Sequence, residues 1–464
     1  MATRRRYIDI PDHARRDFIK WTIGLGAALG LRPWKVFEIQ ESLVGPAVAA
    51  TASCASVNRF IGIVGGNGGH AWNTLLWPHP GQATIAGASF YATGQTKPQA
   101  MAAGDHALDL SPDAPQLAGK KMTGIIAGTN NTHTTIGANS ATTVATGVSM
   151  FAAAAALQTA SPTLVPSIAI SQMPYGSAVG APAVATVANA AGMVDLFNSA
   201  SSLAGGALSN PADAALFEAY YKANLSLHAV AGRPTRISGN RTGKVAANLL
   251  GKNLASQLKP SADDLARYGV TGTTPAKLSS IANALITAFK SFSLNLTSHV
   301  MFPAFLDDPH GAFGDMPTLI ATVKAYSKIL DAFMADCMSV DDPMCAGRKI
   351  GDNLVIALNG DTTKDALAPA GWGDGTMNNH NVLYVMGGGF VKGGWFGGIN
   401  AAKALETWDP ATGANVATGG MTSAALAAPA SAAVLYAVAK GDMRRVQDFY
   451  RGGAIDGIIN ASNQ

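Results

Sequence analysis

Aspartate and histidine side chains lie where predicted apolar strands end, and these are the residue types that bind divalent metal ions. Asp308 and His310 directly follow an apolar run at residues 299–306. A carboxylate and an imidazole two residues apart at a strand end can converge on one cation, although a histidine beside a turn aspartate is also typical of a capping or surface pair. The candidate metal ligands placed at such ends, or in the segment between two of them, are Asp308, His310, His380, Asp361 and Asp374.

The elements that would position these side chains are predicted from apolar runs of strand length, which cover residues 58–64, 122–127, 299–306, 353–358 and 382–386. Such runs are typical of a buried, mostly parallel sheet whose carboxyl ends carry the polar groups. Apolar residues with helical spacing predict helices at 278–289 and at 318–336, and the Ala-rich stretches at 151–156 and 424–433 are predicted to be closely packed helices. We therefore predict one large α/β domain with helices on both faces of its sheet and a helical cap at about residues 205–295.

The N-terminal segment has the features of an export signal. Arg15 and Arg16 precede a Gly/Ala-rich apolar run at 21–31, and a twin arginine before a modest apolar stretch is read by the Tat machinery. The run is shorter than the roughly 20 residues of a spanning helix, so no stable membrane span is predicted. We expect a signal peptide at 1–52, a mature domain at 53–464, the Tat translocase and signal peptidase as partners, and a periplasmic or extracellular location.

Two other interpretations of this segment remain. It is also compatible with a basic N-terminus that contains a chance arginine pair, since arginines also occupy positions 4–6. Lipidation at Cys54 is a further alternative, but Thr51 stands where a lipobox has Leu or Val.

Composition argues against a nucleic-acid-binding protein. Charged residues make up 13% of the 464 residues, and the formal net charge of +4 includes five arginines within the first 16. No basic stripe is evident after the leader, so we expect no nucleic-acid partner.

Two of the three cysteines are close together in the sequence. Cys337 and Cys345 flank a polar turn that contains Asp342 and Pro343, and in an oxidising compartment such a pair is expected to form a local disulfide. The alternative is two separate buried thiols that act as small hydrophobic side chains.

The order of these segments resembles the Tat-exported, sulfatase-like proteins of the domain of unknown function 1501 family, within the alkaline phosphatase superfamily. The resemblance covers most of the chain in outline. The matching segments are the twin-arginine leader, a glycine-rich turn at 63–69, the Asp-x-His element at 308–310 with the helix after it, a strand end at 353–363, residues 375–381 and, as the most specific match, the glycine-rich stretch at 387–397.

The resemblance implies an alkaline-phosphatase-like fold and a metal-dependent hydrolase of sulfate or phosphate esters. A superfamily hydrolase needs a Ser or Thr nucleophile at a strand end, and Thr129 or Thr132, beside His133, could supply it. Hydroxyl groups that fix a surface loop are the competing interpretation of this Thr-rich stretch. Asn67 and His70 in the glycine-rich turn are candidate substrate-binding residues.

The departures from the family pattern indicate a partly degenerate site. Gly68 and Asn379 stand where the family has aspartates, and residues 359–363 replace its Ser-Glu-Phe-Gly-Arg element. Loss of anionic oxygen ligands should weaken metal binding, so we expect at most one divalent metal. Two hypotheses follow: a metal-dependent ester hydrolase, or a catalytically inactive exported binding or structural protein on the same scaffold.

Overall fold

A computed structural model describes residues 57–77, 79, 122–129, 133, 140–159, 163–197, 208, 210–249, 254–309, 315–361, 380–400, 402, 404–417 and 421–461. The described residues divide into two compact units, a smaller one within 196–254 and a larger one that contains the rest. The predicted signal peptide lies outside the described residues. In the part of the chain that the structure describes, no helix is long and apolar enough to cross a bilayer.

The larger unit contains all the described strands. They are β1 Arg59–Gly65, β2 Met122–Thr129, β3 Thr143–Ala145, β4 Val148–Ser149, β5 Ser167–Ile170, β6 Ala185–Val187, β7 His299–Pro303, β8 Leu354–Gly360, β9 His380–Met386, β10 Gly394–Phe396, β11 Gly398–Ile399, β12 Leu405–Trp408 and β13 Asn415–Ala417.

The described helices are α1 Ala71–Leu76, α2 Met150–Gln158, α3 Ala190–Leu196, α4 Pro211–Val230, α5 Pro234–Leu249, α6 Ala255–Leu258, α7 Ala262–Arg267, α8 Ala276–Ser293, α9 Met316–Ser339, α10 Ala427–Val438 and α11 Met443–Val446. Pro317 lies in the first turn of α9, and Asp315 caps this helix by accepting a hydrogen bond from the Thr318 N–H. A proline in the first turn removes no intrahelical hydrogen bond, which is why the helix can start there.

Eight strands form the central sheet, in the order β10-β2-β9-β8-β1-β7-β5-β6. Within it, β9 runs antiparallel to both of its neighbours, and the other described neighbours pair in parallel. The strand β1 lies near the middle, between β8 and β7, and all seven of its residues are buried. A mostly parallel sheet of this kind must be covered on both faces.

Helices cover the two faces of the sheet. Phe60 and Val64 of β1 pack in one apolar cluster with α2 and α10. Side chains alternate along a strand, so Arg59 points to the opposite face, where its guanidinium lies 5.4 Å from the ring centroid of Phe292 in α8. The predicted α/β architecture is therefore confirmed, and it is consistent with an alkaline-phosphatase-like fold.

The two Ala-rich stretches are closely packed helices, as predicted. In α2 the alanines at 152–155 are no more than 1% exposed, and the alanines at 430, 432, 433 and 437 in α10 are fully buried. Alanine has no side chain beyond Cβ, so these two helices can approach the sheet and each other closely while losing little side-chain entropy.

The smaller unit is a pair of helices, α4 and α5, joined by a short turn. Lys244 of α5 forms an ion pair with Glu218 of α4 at 2.6 Å. A Cβ atom on Gly243 would lie 3.3 Å from the Tyr221 hydroxyl, so α5 approaches α4 closely at this glycine. These helices fall in the range 205–295 of the predicted cap, whereas α6, α7 and α8 of that range belong to the larger unit.

The predicted disulfide between Cys337 and Cys345 is wrong. Cys337 lies in the last turns of α9 and carries a buried thiol. Hydrogen bonds close the turn instead: the backbone N–H groups of Met344 and Cys345 donate to the carboxylate and the backbone carbonyl of Asp342. The polar bend was predicted correctly, but Asp342, rather than a bond between these two cysteines, holds it together.

The carboxylate of Asp342 also forms a buried ion pair at the start of β1. Its Oδ1 atom accepts a hydrogen bond from Arg59 Nη2 at 2.7 Å, and its Oδ2 atom accepts one from Asn353 Nδ2 at 3.0 Å. Arg59 is 1% exposed and Asp342 is 4% exposed. Removal of one partner from such a pair leaves an uncompensated buried charge.

We therefore expect Asp342→Ala to lower the free energy of unfolding by about 3–5 kcal/mol. The matched control is Asp341→Ala, since Asp341 has a side chain that is 78% exposed and pairs with Lys349 at the surface; it should lose less than about 1 kcal/mol. Urea unfolding of both variants measures the difference. Equal losses in the two variants would show that the Arg59 pair does not anchor β1.

Candidate functional site

The polar ends of the strands gather along one edge of the sheet. The carboxyl ends of β1, β7 and β8 lie there because these strands are parallel neighbours. The antiparallel strand β9 begins at the same edge, where His380 pairs with Thr129 at the end of β2. Sequence positions that are far apart are therefore brought to one edge, which is where ligands bind in open α/β sheets.

A glycine-rich turn connects β1 to α1 at this edge. The Gly66 N–H donates to the Phe305 carbonyl at 2.9 Å, and the Gly69 N–H donates to the Gly66 carbonyl at 2.9 Å. A Cβ atom on Gly69 would lie 2.1 Å from the Phe305 oxygen. The backbone of the turn therefore contacts the segment that follows β7. This contact places Asp308 next to the turn.

Three of the predicted site residues surround Gly68 in this turn. His133 Nε2 lies 2.7 Å from Asp308 Oδ2, and the Gly68 N–H donates to the Asp361 carboxylate, at 3.0 Å to Oδ2. Gly68 has φ +87°, and a Cβ atom on it would lie 2.3 Å from the Asp308 Cβ and 2.9 Å from the His133 Cδ2. The space that a side chain at position 68 would need is therefore filled by the Asp308–His133 pair.

The exposure of the pair suits chemistry at the surface. The His133 side chain is 42% exposed and that of Asp308 is 15% exposed, whereas Asp361 is 2% exposed. His133 has φ +44°, a left-handed conformation that non-glycine residues adopt rarely and that often marks a functional turn. The buried Asp361 carboxylate, by contrast, accepts a hydrogen bond from the backbone of the glycine-rich turn.

His70 has the contacts of a structural side chain. Its ring is fully buried; Nε2 lies 2.7 Å from the Val382 carbonyl and Nδ1 lies 3.0 Å from the Asn73 amide nitrogen. These partners place the proton on Nε2. Burial lowers the pKa of His70 to about 4, so the ring is neutral near pH 7. Its neighbour Asn67 has φ +52° in the turn, and its amide lies 3.4 Å from the Leu306 carbonyl.

His380 lines a small buried cavity together with His79 and Trp395. It is 1% exposed, and burial lowers its pKa to about 4. His79, which stands between two prolines in the sequence, is also neutral because burial lowers its pKa to about 4. We did not predict a role for His79 from the sequence. The signal that could have indicated one is the pair of flanking prolines, which restrict the backbone of this residue.

The described residues do not form a metal centre. Two carboxylates and an imidazole around Gly68 are suitable donor types. Even so, among the residues that the structure describes, no group of three or more His, Cys, Asp or Glu side chains could hold one ion. The predicted convergence of His380 with Asp308 into such a group is therefore not seen. Thr132, His310 and Asp374 lie outside the described residues.

Comparison of the chain with protein-family models, curated protein sequences and solved structures finds no match. The fold and the site together define a class: an α/β protein with a His–Asp pair at the carboxyl edge of its sheet.

A single methyl group at position 68 should disturb this site. Gly68→Ala combines a left-handed backbone with an overlap on Asp308, and we expect a loss of about 2–4 kcal/mol in the free energy of unfolding. Gly147→Ala is the matched control, because Gly147 has φ +74° but a Cβ atom on it would have nothing within 4 Å; it should lose about 1–2 kcal/mol. Thermal and urea unfolding measure both, and an equal loss at the two positions would contradict close packing around Gly68.

Proposed function

We propose that the protein is an exported hydrolase of sulfate or phosphate esters in which the His133–Asp308 pair is the acid–base group. The observation that carries the proposal is the 2.7 Å contact between His133 Nε2 and Asp308 Oδ2, on a partly exposed ring at the edge where α/β sheets bind ligands.

The pair has the arrangement of a general base with its orienting carboxylate. A carboxylate accepts hydrogen bonds only, so Asp308 places the ring proton on Nε2 and leaves the lone pair on Nδ1. When Nδ1 takes a proton from the attacking hydroxyl or water, the Asp308 carboxylate stabilises the imidazolium that forms. Asp361 is a positioning residue here, because its bond to the Gly68 N–H fixes the turn against which the pair packs.

Thr132 is the proposed nucleophile because it precedes His133 in the sequence. Its hydroxyl would attack the sulfur or phosphorus atom and give its proton to the imidazole, while the bond from that atom to the ester oxygen breaks and the alcohol leaves with the imidazolium proton. The neutral imidazole would then take a proton from water, which attacks the covalent intermediate, releases sulfate or phosphate and restores the Thr132 hydroxyl. In the competing interpretation the hydroxyls of this stretch fix a loop, and His133 activates water directly.

Export is the second component of the proposal. The twin arginines at 15 and 16 and the short apolar run after them support recognition by the Tat translocase and processing by signal peptidase. The resemblance to the exported sulfatase-like family supports the same location. We retain the expectation of at most one divalent metal per chain, since Gly68 offers no carboxylate.

A second candidate function is favoured by one observation. The volume beside Gly68, where the family carries a ligand carboxylate, is filled by Asp308 and His133. A scaffold whose metal position has been closed in this way is compatible with an inactive exported protein that binds a partner or serves a structural role.

Hydrolysis assays on the purified mature protein test the proposal, with aryl sulfate and aryl phosphate esters as substrates. We expect His133→Asn and Asp308→Asn each to lower kcat by about 10²–10⁴-fold, the usual contribution of a positioned base. His228→Asn, on helix α4 of the smaller unit, is the control and should keep the wild-type rate.

The outcomes separate the two candidates. Hydrolysis that is unchanged in His133→Asn would contradict the role of the pair. If folded wild-type protein hydrolyses neither class of ester, the inactive scaffold is favoured.

A further inference from the structure

The helix α4 carries an apolar stripe that faces solvent. Leu216, Tyr220, Leu227 and Val230 are 56%, 41%, 64% and 90% exposed, and none of the helix's twenty residues is buried. At 100° per residue these four side chains lie within one arc of about 80°. Their exposure is greatest at the end of the helix, where the chain turns into α5.

The turn between the two helices is closed by its own hydrogen bonds. The Arg233 N–H donates to the His228 carbonyl at 3.0 Å, and the Ala231 N–H donates to the Leu227 carbonyl at 3.0 Å. Gly232 adopts φ +61°, with open space around it. The hairpin tip therefore presents Val230 and Arg233 on a hydrogen-bonded turn.

After Glu218, the charged residues of the hairpin sequence are all basic. The sequence contains no Asp or Glu between Glu218 and Asp263, while this interval contains Lys222, Arg233, Arg236, Arg241, Lys244, Lys252 and Lys259. Glu218 itself pairs with Lys244. Arg233, Arg236 and Arg241 are exposed. An exposed apolar stripe that ends in arginines for which the described residues show no ion pair matches a surface with anionic groups above an apolar layer.

We propose that the α4–α5 hairpin docks on an anionic lipid bilayer, tip first. Val230 and Leu227 enter the boundary between head groups and acyl chains, and the guanidinium groups of Arg233 and Arg236 bind lipid phosphates. The contact is peripheral, and it does not depend on the proposed hydrolase activity.

A second copy of the chain fits the stripe less well. A twenty-residue helix is about 30 Å long, so a stripe roughly 10 Å wide covers about 300 Å² for each partner. Stable interfaces bury about 800 Å² for each partner. Parallel pairing of two copies along α4 would also bring the arginines of the two tips together.

Vesicle sedimentation with the purified full mature chain tests the proposal. The probes are vesicles of phosphatidylcholine alone and vesicles of equal parts phosphatidylcholine and phosphatidylglycerol. We expect binding at least about tenfold stronger to the anionic vesicles, weakened by about 0.5 M salt. The double variants Leu227→Ser/Val230→Ser and Arg233→Ser/Arg236→Ser should each lower the partition coefficient about tenfold or more.

Two exposed positions of the larger unit provide matched controls. Val179 is 87% exposed and Arg451 is exposed, so Val179→Ser and Arg451→Ser should bind vesicles as the wild type does. Circular dichroism melts verify that every variant is folded.

Three results would overturn the proposal. The first is wild-type protein that stays in the supernatant with anionic vesicles. The second is wild-type binding in both hairpin variants. The third is a concentration-dependent dimer in light scattering that Leu227→Ser/Val230→Ser abolishes, since a second copy would then cover the stripe.

Discussion

At its glycines, the end of β1 and the turn that follows it have room for backbone atoms only, and the arrangement of the site depends on this constraint. Cβ atoms at Gly65 and Gly69 would lie 2.4 Å from the His70 nitrogen and 2.1 Å from the Phe305 oxygen. Because these positions are glycines, the end of β1 can lie directly against the segment after β7. That approach brings Asp308 to Gly68 and leaves the adjoining space for His133.

The two ends of β1 are held by different interactions. At its start, the buried ion pair of Arg59 with Asp342 connects the strand to the turn after α9. At its end, the Asp361 carboxylate accepts the Gly68 N–H, and the neutral ring of His70 contacts the Val382 carbonyl. The central strand is therefore fixed at both ends by buried polar contacts, and the partly exposed His133–Asp308 pair lies beside one of these ends.

The sequence contained enough information for the class of fold and for the edge that carries the polar residues. The run at 58–64 corresponds to β1, and the helix predicted at 318–336 lies within α9. The antiparallel direction of β9 was not predictable, because an apolar run does not specify the direction of a strand. The Cys337–Cys345 prediction failed because proximity in sequence does not decide which cysteines pair: Cys337 keeps a buried thiol, and hydrogen bonds to Asp342 close the turn.

The contact between His133 and Asp308 also could not be predicted, since it joins residues 175 positions apart and depends on the order of the strands. The sequence shows a glycine at position 68, but it does not show that the Asp308 and His133 side chains fill the space beside it. Because these side chains occupy the space beside Gly68, we expect fewer metal ions to bind there.

Elemental analysis of mature protein purified without chelator tests most directly whether the site beside Gly68 is reduced. Because the position beside Gly68 is occupied by the His133–Asp308 pair, we expect at most one divalent metal per chain. Two tightly bound metals per chain would contradict this expectation.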